Sequence, residues 1–157
     1  MKQARACVFC RKVLRERNQI VYEDAKVFAI LDHNPRAKKH VLVIPHEHIS
    51  CVDDVTPASL DLLEHMLATG KEILARDGFI DETDCRFGFH RFPFASVPHL
   101  HLHCLGLPFI PAWNSMRYTE SMLSSYVSAE SAIAALRTKQ ETVSSSSDSM
   151  EPRSTSK

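Results

Sequence analysis

The sequence has no surplus of charge of either sign: Lys and Arg number 19 and so do Asp and Glu. A broadly basic coat for nucleic acid is thereby excluded, though local patches are not. No apolar run approaches the ~20 residues of a membrane span. The stretch from Met1 to Cys7 has no apolar segment of the secretory kind. The expected compartment is therefore cytoplasmic, or also nuclear, with no membrane partner. No internal repeat is visible. The five cysteines, Cys7, Cys10, Cys51, Cys85 and Cys104, form no even set, and in such a compartment they suit thiols or metal ligands better than disulfides. Histidine, by contrast, is abundant, with nine residues.

A length of 157 residues, 44% hydrophobic and 24% charged, fits one soluble domain with a core that needs no disulfides. Ser144 to Lys157 holds seven serines and almost nothing apolar. Such a stretch buries too little to offset its ordering entropy, so the domain is expected over 1–138 and a disordered Ser-rich tail over 139–157.

Gln19–Glu23 and Lys26–Leu31 read as strands joined at Asp24-Ala25, and Asp32-His33-Asn34-Pro35 as a turn. Val41–Ile44 is a further strand, bounded by Pro45. Thr56-Pro57 opens a helix that carries Leu60, Leu63, Leu67, Ile73 and Leu74 at helical spacing and ends at Asp77-Gly78. Cys85–His90 and His99–Leu105 are two more strands. Residues 119–137 read as a final helix with Met122, Leu123, Tyr126, Ile133 and Leu136 on its apolar side. The predicted architecture is α+β: an antiparallel sheet of about five strands, one main helix and a C-terminal helix.

The informative segment is His99-Leu100-His101-Leu102-His103-Cys104-Leu105. Side chains alternate along a strand, so His99, His101 and His103 share one face, and Leu100, Leu102 and Cys104 face the core. A chance cluster of surface histidines is the bland reading. Two histidines two apart on a strand can also both reach a metal ion. Equally, imidazole is a nucleophile that is near neutral at physiological pH.

The pattern His-φ-His-φ-His-φ-φ, with φ apolar, resembles the signature of the histidine-triad (HIT) superfamily of nucleotide hydrolases and transferases. Asp32–Pro35 and His40-Val41-Leu42-Val43-Ile44-Pro45-His46-Glu47-His48 are similar to two further blocks of that family, in the same order. Gly88-Phe89-His90 and the loop from Pro93 to Ser96 depart from the common form, which has an Asn and a Gly-Gly-Gln loop there. In this the chain resembles the third histidine-triad nucleotide-binding branch, and also the HIT domain of aprataxin.

The resemblance implies a HIT-like fold and a two-step transfer. His101 attacks the α-phosphorus, and water then releases the nucleoside monophosphate. His103 and His40 flank the phosphate as donors beside His99. Ser96 contacts phosphate or leaving group, or is a plain turn serine. Asp32 and His33 belong to the nucleotide side, with Asp32 accepting from the ribose or simply forming the turn. Phe9 and Ile30 line the base pocket or are core. His90 is a second phosphate donor or a structural histidine.

The resemblance also implies a structural zinc on Cys7, Cys10, His48 and His99, a closed set that leaves His101 and His103 free. No cofactor is required for catalysis, and a homodimer through helix and sheet is expected.

Four functions follow for comparison. The leading one is an adenosine 5′-monophosphoramidase that releases AMP. The second is an aprataxin-like hydrolase that removes AMP from nucleic-acid 5′ ends. Basic Lys2, Arg5, Arg11, Lys12, Arg15 and Arg17, with Arg36, Lys38 and Lys39 beside the site, favour it, whereas the lack of Cys or His after Cys104 counts against it. The third is a non-catalytic AMP-binding module. The last is a zinc hydrolase with the triad as ligands, which lacks a carboxylate base near the strand.

Overall fold

The computed structural model describes residues 7–10, 20–91, 94–95 and 97–147. Ser96, the basic N-terminal residues Lys2, Arg5, Arg11, Lys12, Arg15 and Arg17, and the tail from 148 onward lie outside the described residues.

Strands β1 (Ile20–Glu23), β2 (Val27–Leu31), β3 (Ala37–Pro45), β4 (Cys85–His90), β5 (Leu102–Phe109) and β6 (Tyr126–Ser128) form one sheet in the order β1-β2-β3-β5-β4-β6. Every neighbouring pair is antiparallel. Helices α1 (Leu60–Arg76) and α2 (Ala129–Ser147) complete the regular structure. The β1–β2 turn is built on Asp24, whose Oδ1 accepts from the N–H groups of Lys26 at 2.7 Å and Val27 at 2.9 Å. Its Oδ2 accepts from Tyr22 and from His65 of α1, which ties the hairpin to the helix.

Alternation along the central strands divides the sheet into two faces. Val41 and Val43 of β3 and Leu102 and Cys104 of β5 meet Leu63, Met66 and Leu74 of α1 and Ile133 and Leu136 of α2 in one core. Leu100 joins that core, as the triad pattern requires. Leu42 and Ile44 of β3 instead meet Phe28, Ile30 and Phe9 on the opposite face. His40 has the same parity as Leu42, so the functional face is the one away from the helices.

Helix α1 ends as the Asp77-Gly78 signal predicts. The N–H of Phe79 bonds Leu74 O and that of Gly78 bonds Ala75 O, with Gly78 at φ 89°. This is the Schellman arrangement, whose left-handed position favours glycine.

Two expectations are corrected. First, residues 119–137 are not one helix: 126–128 form the sixth strand, and α2 starts at Ala129 and runs past Thr138 to Ser147. Met122 and Leu123 are fully exposed, at 104% and 100%, rather than packed. Their spacing with Tyr126 imitates a helical stripe, but pairing with β4 decides the conformation of 126–128. Second, the ladder of the triad strand begins at Leu102, because the Leu100 N–H goes to Ile49 O instead. The bland reading of the triad as surface histidines also fails: His99, His101 and His103 are all buried, so both faces of the segment are covered.

Gly88 faces His103 across β4 and β5 and Ser128 across β4 and β6. A Cβ there would stand 2.3 Å from the Tyr126 ring and 2.5 Å from the Val127 carbonyl oxygen. The backbone oxygen cannot swing aside as a side chain would. Gly88→Ala is therefore expected to cost ~1–3 kcal/mol by overpacking, seen as a lower midpoint in thermal unfolding. An unchanged midpoint would contradict the close approach of β6.

Candidate active site

Residues from four parts of the chain close a cavity of about 480 Å³ on the functional face. That size suits a small-molecule ligand, for which roughly 300–1,000 Å³ is usual. Phe9, Ile30, Asp32, His33, His90, His101 and His103 all line it. His40, His99 and His48 do not, and act from behind the wall.

The tautomers of the buried imidazoles follow from the backbone groups that hold them. The carbonyl oxygen of His99 lies 2.7 Å from Nδ1 of His101. A carbonyl only accepts, so the proton sits on Nδ1 and the lone pair on Nε2. Nε2 of His101 has no hydrogen bond to any described residue, and the residue lines the cavity. This leaves Nε2 available to a ligand.

A second chain of imidazoles is polarised from both ends. The N–H of Arg36 donates to Nδ1 of His40 at 3.2 Å, so the His40 proton is on Nε2. That Nε2–H faces Nδ1 of His103 at 2.9 Å. The remaining proton of His103 is then on Nε2, 3.2 Å from Nδ1 of His90. His90 in turn donates from Nε2 to the carbonyl of Arg117 at 2.9 Å. The direction of the whole run is consistent with three neutral rings. Burial enforces neutrality: it pulls His40 down to about 4 and lowers His90, His101 and His103 from their ordinary value.

This geometry sharpens the expected roles. Both nitrogens of His40 are engaged by the protein, and so are both nitrogens of His103, through His40 and His90. Both nitrogens of His90 are likewise used. Oδ1 of Asp32 accepts from the Asn34 N–H at 2.8 Å while the residue lines the cavity, so it is turn former and site residue together.

Of the basic residues expected beside the site only Arg36 lines the cavity. Lys39 pairs with Asp77 at 2.7 Å, and Lys38 lies over the Phe79 ring.

Sequence reasoning missed Arg117 and Tyr118. Tyr118 packs edge-on against His40, His90 and His103 at centroid distances of 6.0, 5.1 and 5.5 Å. Nothing in the sequence marks these two, because they sit in a 3-10 turn, Ala112–Tyr118, brought to the site only by the fold.

A separate group lies behind His101. Ligand atoms of Cys7, Cys10, His48 and His99 all fall within 4.8 Å of one another, an arrangement that can hold a metal ion. Nε2 of His99 donates to Pro45 O at 2.9 Å, which leaves Nδ1 aimed at the thiols. Asp32, His40 and His103 are also close, but there the two imidazoles share a hydrogen bond. The triad thus points three ways and does not converge on one ion.

Histidines held neutral by burial bind fewer protons than the unfolded chain between the two pKa values. Stability therefore falls as pH drops through that window. For His40 the window runs from 6.5 to about 4. Asp24 does not share it. Burial alone would raise Asp24, but the Val27 and Lys26 N–H groups outweigh this and hold it far below its usual range. The thermal midpoint is expected to fall between pH 6.5 and pH 4, less so in His40→Asn. A flat profile there would mean that the imidazoles are not buried neutral.

Residues 6–119 match the family described as "Scavenger mRNA decapping enzyme C-term binding". The Arabidopsis thaliana protein named bifunctional adenosine 5′-phosphosulfate phosphorylase/adenylylsulfatase HINT4 is 40% identical over 136 residues, which is 84% of this chain and 92% of that one. Mouse adenosine 5′-monophosphoramidase HINT3 is 38% identical over 102 residues, 63% of this chain and 62% of its own length. Chicken aprataxin is 35% identical over 121 residues, 76% of this chain but 38% of its own length. Among solved structures, a HIT family hydrolase from Clostridium thermocellum superposes with a TM-score of 0.59 at 35% identity, over 65% of this chain and 90% of that one. Fold, triad and relatives agree, and the chain belongs to the histidine-triad superfamily, as a nucleotide hydrolase of that family.

Proposed function

We propose that the chain is an adenosine 5′-monophosphoramidase that works through a nucleotidyl-histidine on His101. The observation that carries this reading is the 2.7 Å bond from His101 Nδ1–H to the His99 carbonyl, which leaves a lone pair on Nε2 at the cavity. Nε2 attacks the α-phosphorus, a P–N bond to His101 forms, and the P–N bond to the leaving amine breaks. The amine departs after taking up a proton. The Nε2–H of His103 is already given to His90 Nδ1 at 3.2 Å, so that proton comes from solvent in the cavity, and the water that attacks in the second step returns one. Water then attacks the phosphorus, AMP leaves, and His101 is restored. Splitting one displacement into two lowers each barrier.

The reading includes a structural zinc. Tetrahedral zinc with bonds of about 2.3 Å to sulfur and 2.0–2.1 Å to nitrogen needs donors roughly 3.3–3.8 Å apart. Here Sγ of Cys7 and of Cys10 each lie 3.4 Å from His99 Nδ1, Cys10 Sγ lies 3.3 Å from His48 Nδ1, and the two Nδ1 atoms are 3.2 Å apart. The donor set fits the ion in number, type and spacing. When bound, the ion supplies a structural anchor rather than a reacting group. His99 also has the outer hydrogen bond, to Pro45 O, that zinc-bound histidines commonly make. The reading also includes a homodimer, for which exposed Trp113, Met116, Met122 and Leu123 offer apolar surface.

A second reading rests on Arg36 and Arg117, two guanidinium groups at the cavity. They favour an adenylyl group carried on an anionic leaving group, such as sulfate or the 5′-phosphate of a nucleic acid.

Hydrolysis of an adenosine phosphoramidate by wild type, His101→Ala and His101→Asn tests the first reading. Turnover is expected to fall by about 10⁴-fold in both variants, and acid quenching should trap adenylylated wild-type protein only. Turnover retained in His101→Ala would sink the covalent route. Faster turnover of adenylyl sulfate or adenylated DNA than of the phosphoramidate, weakened by Arg117→Ala, would install the second reading.

A further inference from the structure

The segment Cys7–Cys10 does two things at once. Its thiols reach the imidazoles of His48 and His99. Between them, Val8 and Phe9 line the nucleotide cavity. Phe9 is buried, and its ring meets those of His99 and His101 edge-on at 5.9 and 5.5 Å. It also closes the apolar cluster of Phe28, Ile30, Leu42 and Ile44. Among the described residues no backbone hydrogen bond joins 7–10 to the sheet. Among the described residues the segment is fastened by its two thiols and by the packing of Cys7 and Phe9.

We propose that the metal ion held by Cys7, Cys10, His48 and His99 sets the nucleotide affinity of the cavity by fastening Phe9 into its wall. This rests on the reading above that the cluster takes zinc and the cavity an adenosine nucleotide. Removing the ion leaves the thiols only weak hydrogen bonds to the imidazoles, and the strongest of the described restraints on Phe9 is lost. The nucleophile is held differently. Its tautomer depends on the His99 carbonyl, and the His99 ring keeps its own hydrogen bond to Pro45 O. Loss of metal thus loosens the wall while His101 stays set, so KM rises and kcat persists.

Binding free energies are reciprocal, so nucleotide must tighten metal by the factor by which metal tightens nucleotide. Couplings of this kind are about 5- to 150-fold.

The test is isothermal calorimetry of AMP on the full chain, zinc-loaded and after chelation, with Phe9→Ala and Cys10→Ser beside wild type. Cys10 is exposed, so Cys10→Ser spares the core, and circular dichroism checks its fold. Chelation of wild type, or Cys10→Ser, is expected to weaken AMP about 5- to 150-fold, and added zinc to restore wild type only. Phe9→Ala should weaken AMP and abolish its response to zinc, while zinc still binds. AMP affinity independent of zinc, in a chain that binds both, overturns this inference alone. A chain that takes up no zinc overturns the metal reading and this inference together. A zinc-loaded chain that binds no AMP overturns the nucleotide reading and this inference with it.

Discussion

Burying several imidazoles in one small volume obliges each ring to be neutral and each ring nitrogen to find its complement. Everything else about the functional face follows from how the chain meets that demand. Backbone groups do the deciding: the Arg36 amide at one end of the His40–His103–His90 run, the Arg117 carbonyl at the other, and the His99 carbonyl under the His101 ring. A main-chain carbonyl cannot reverse its role, so the proton positions are set by the fold and not by solution pH near neutrality. No described buried side-chain nitrogen or oxygen is left without a partner, which is what allows so polar a cluster to sit inside a small domain.

The two faces of the sheet share this work. The helix-covered face, with Leu102, Cys104, Leu63 and Met66, is apolar and holds β3 and β5 in register. That register places Leu42 opposite His103 and His40 opposite Leu105, so the His40–His103 contact is a diagonal one across the pair. Slippage by one residue would send the histidines into the helical core and the leucines into the cavity. The cavity face is thus specified by the packing of the helix-covered face.

Much of this was legible in the sequence because strand periodicity is short and strict. The triad, the Asp32–Pro35 turn, the α1 stop at Gly78 and the division between Leu100–Leu102–Cys104 and the histidines all read directly from spacing. The pair Cys7–Cys10 and its distant partners His48 and His99 were legible only through resemblance, since spacing alone supplied two ligands. The segment 119–128 was not legible: a three-residue strand is too short to show its period, and Met122, Leu123 and Tyr126 imitate a helix. Arg117 and Tyr118 were equally hidden, because what makes them site residues is a long-range approach and not a local pattern. The burial of the triad escaped for the same reason. Its cover comes from Phe9 and Tyr118, far apart in the chain.

That separation has a further consequence. Cys7 and His99 touch across 92 residues, and Tyr118 seals the same cavity from farther along. Contacts of such span form late, since loop closure must precede them. The order of synthesis therefore matters. While the chain is being made, Phe9 can already meet Phe28, Ile30, Leu42 and Ile44, but the thiols of Cys7 and Cys10 wait for His99, and the imidazole pack stays open on one side until Tyr118 follows. A nascent chain shorter than that has most of its sheet and no enclosed nucleotide site.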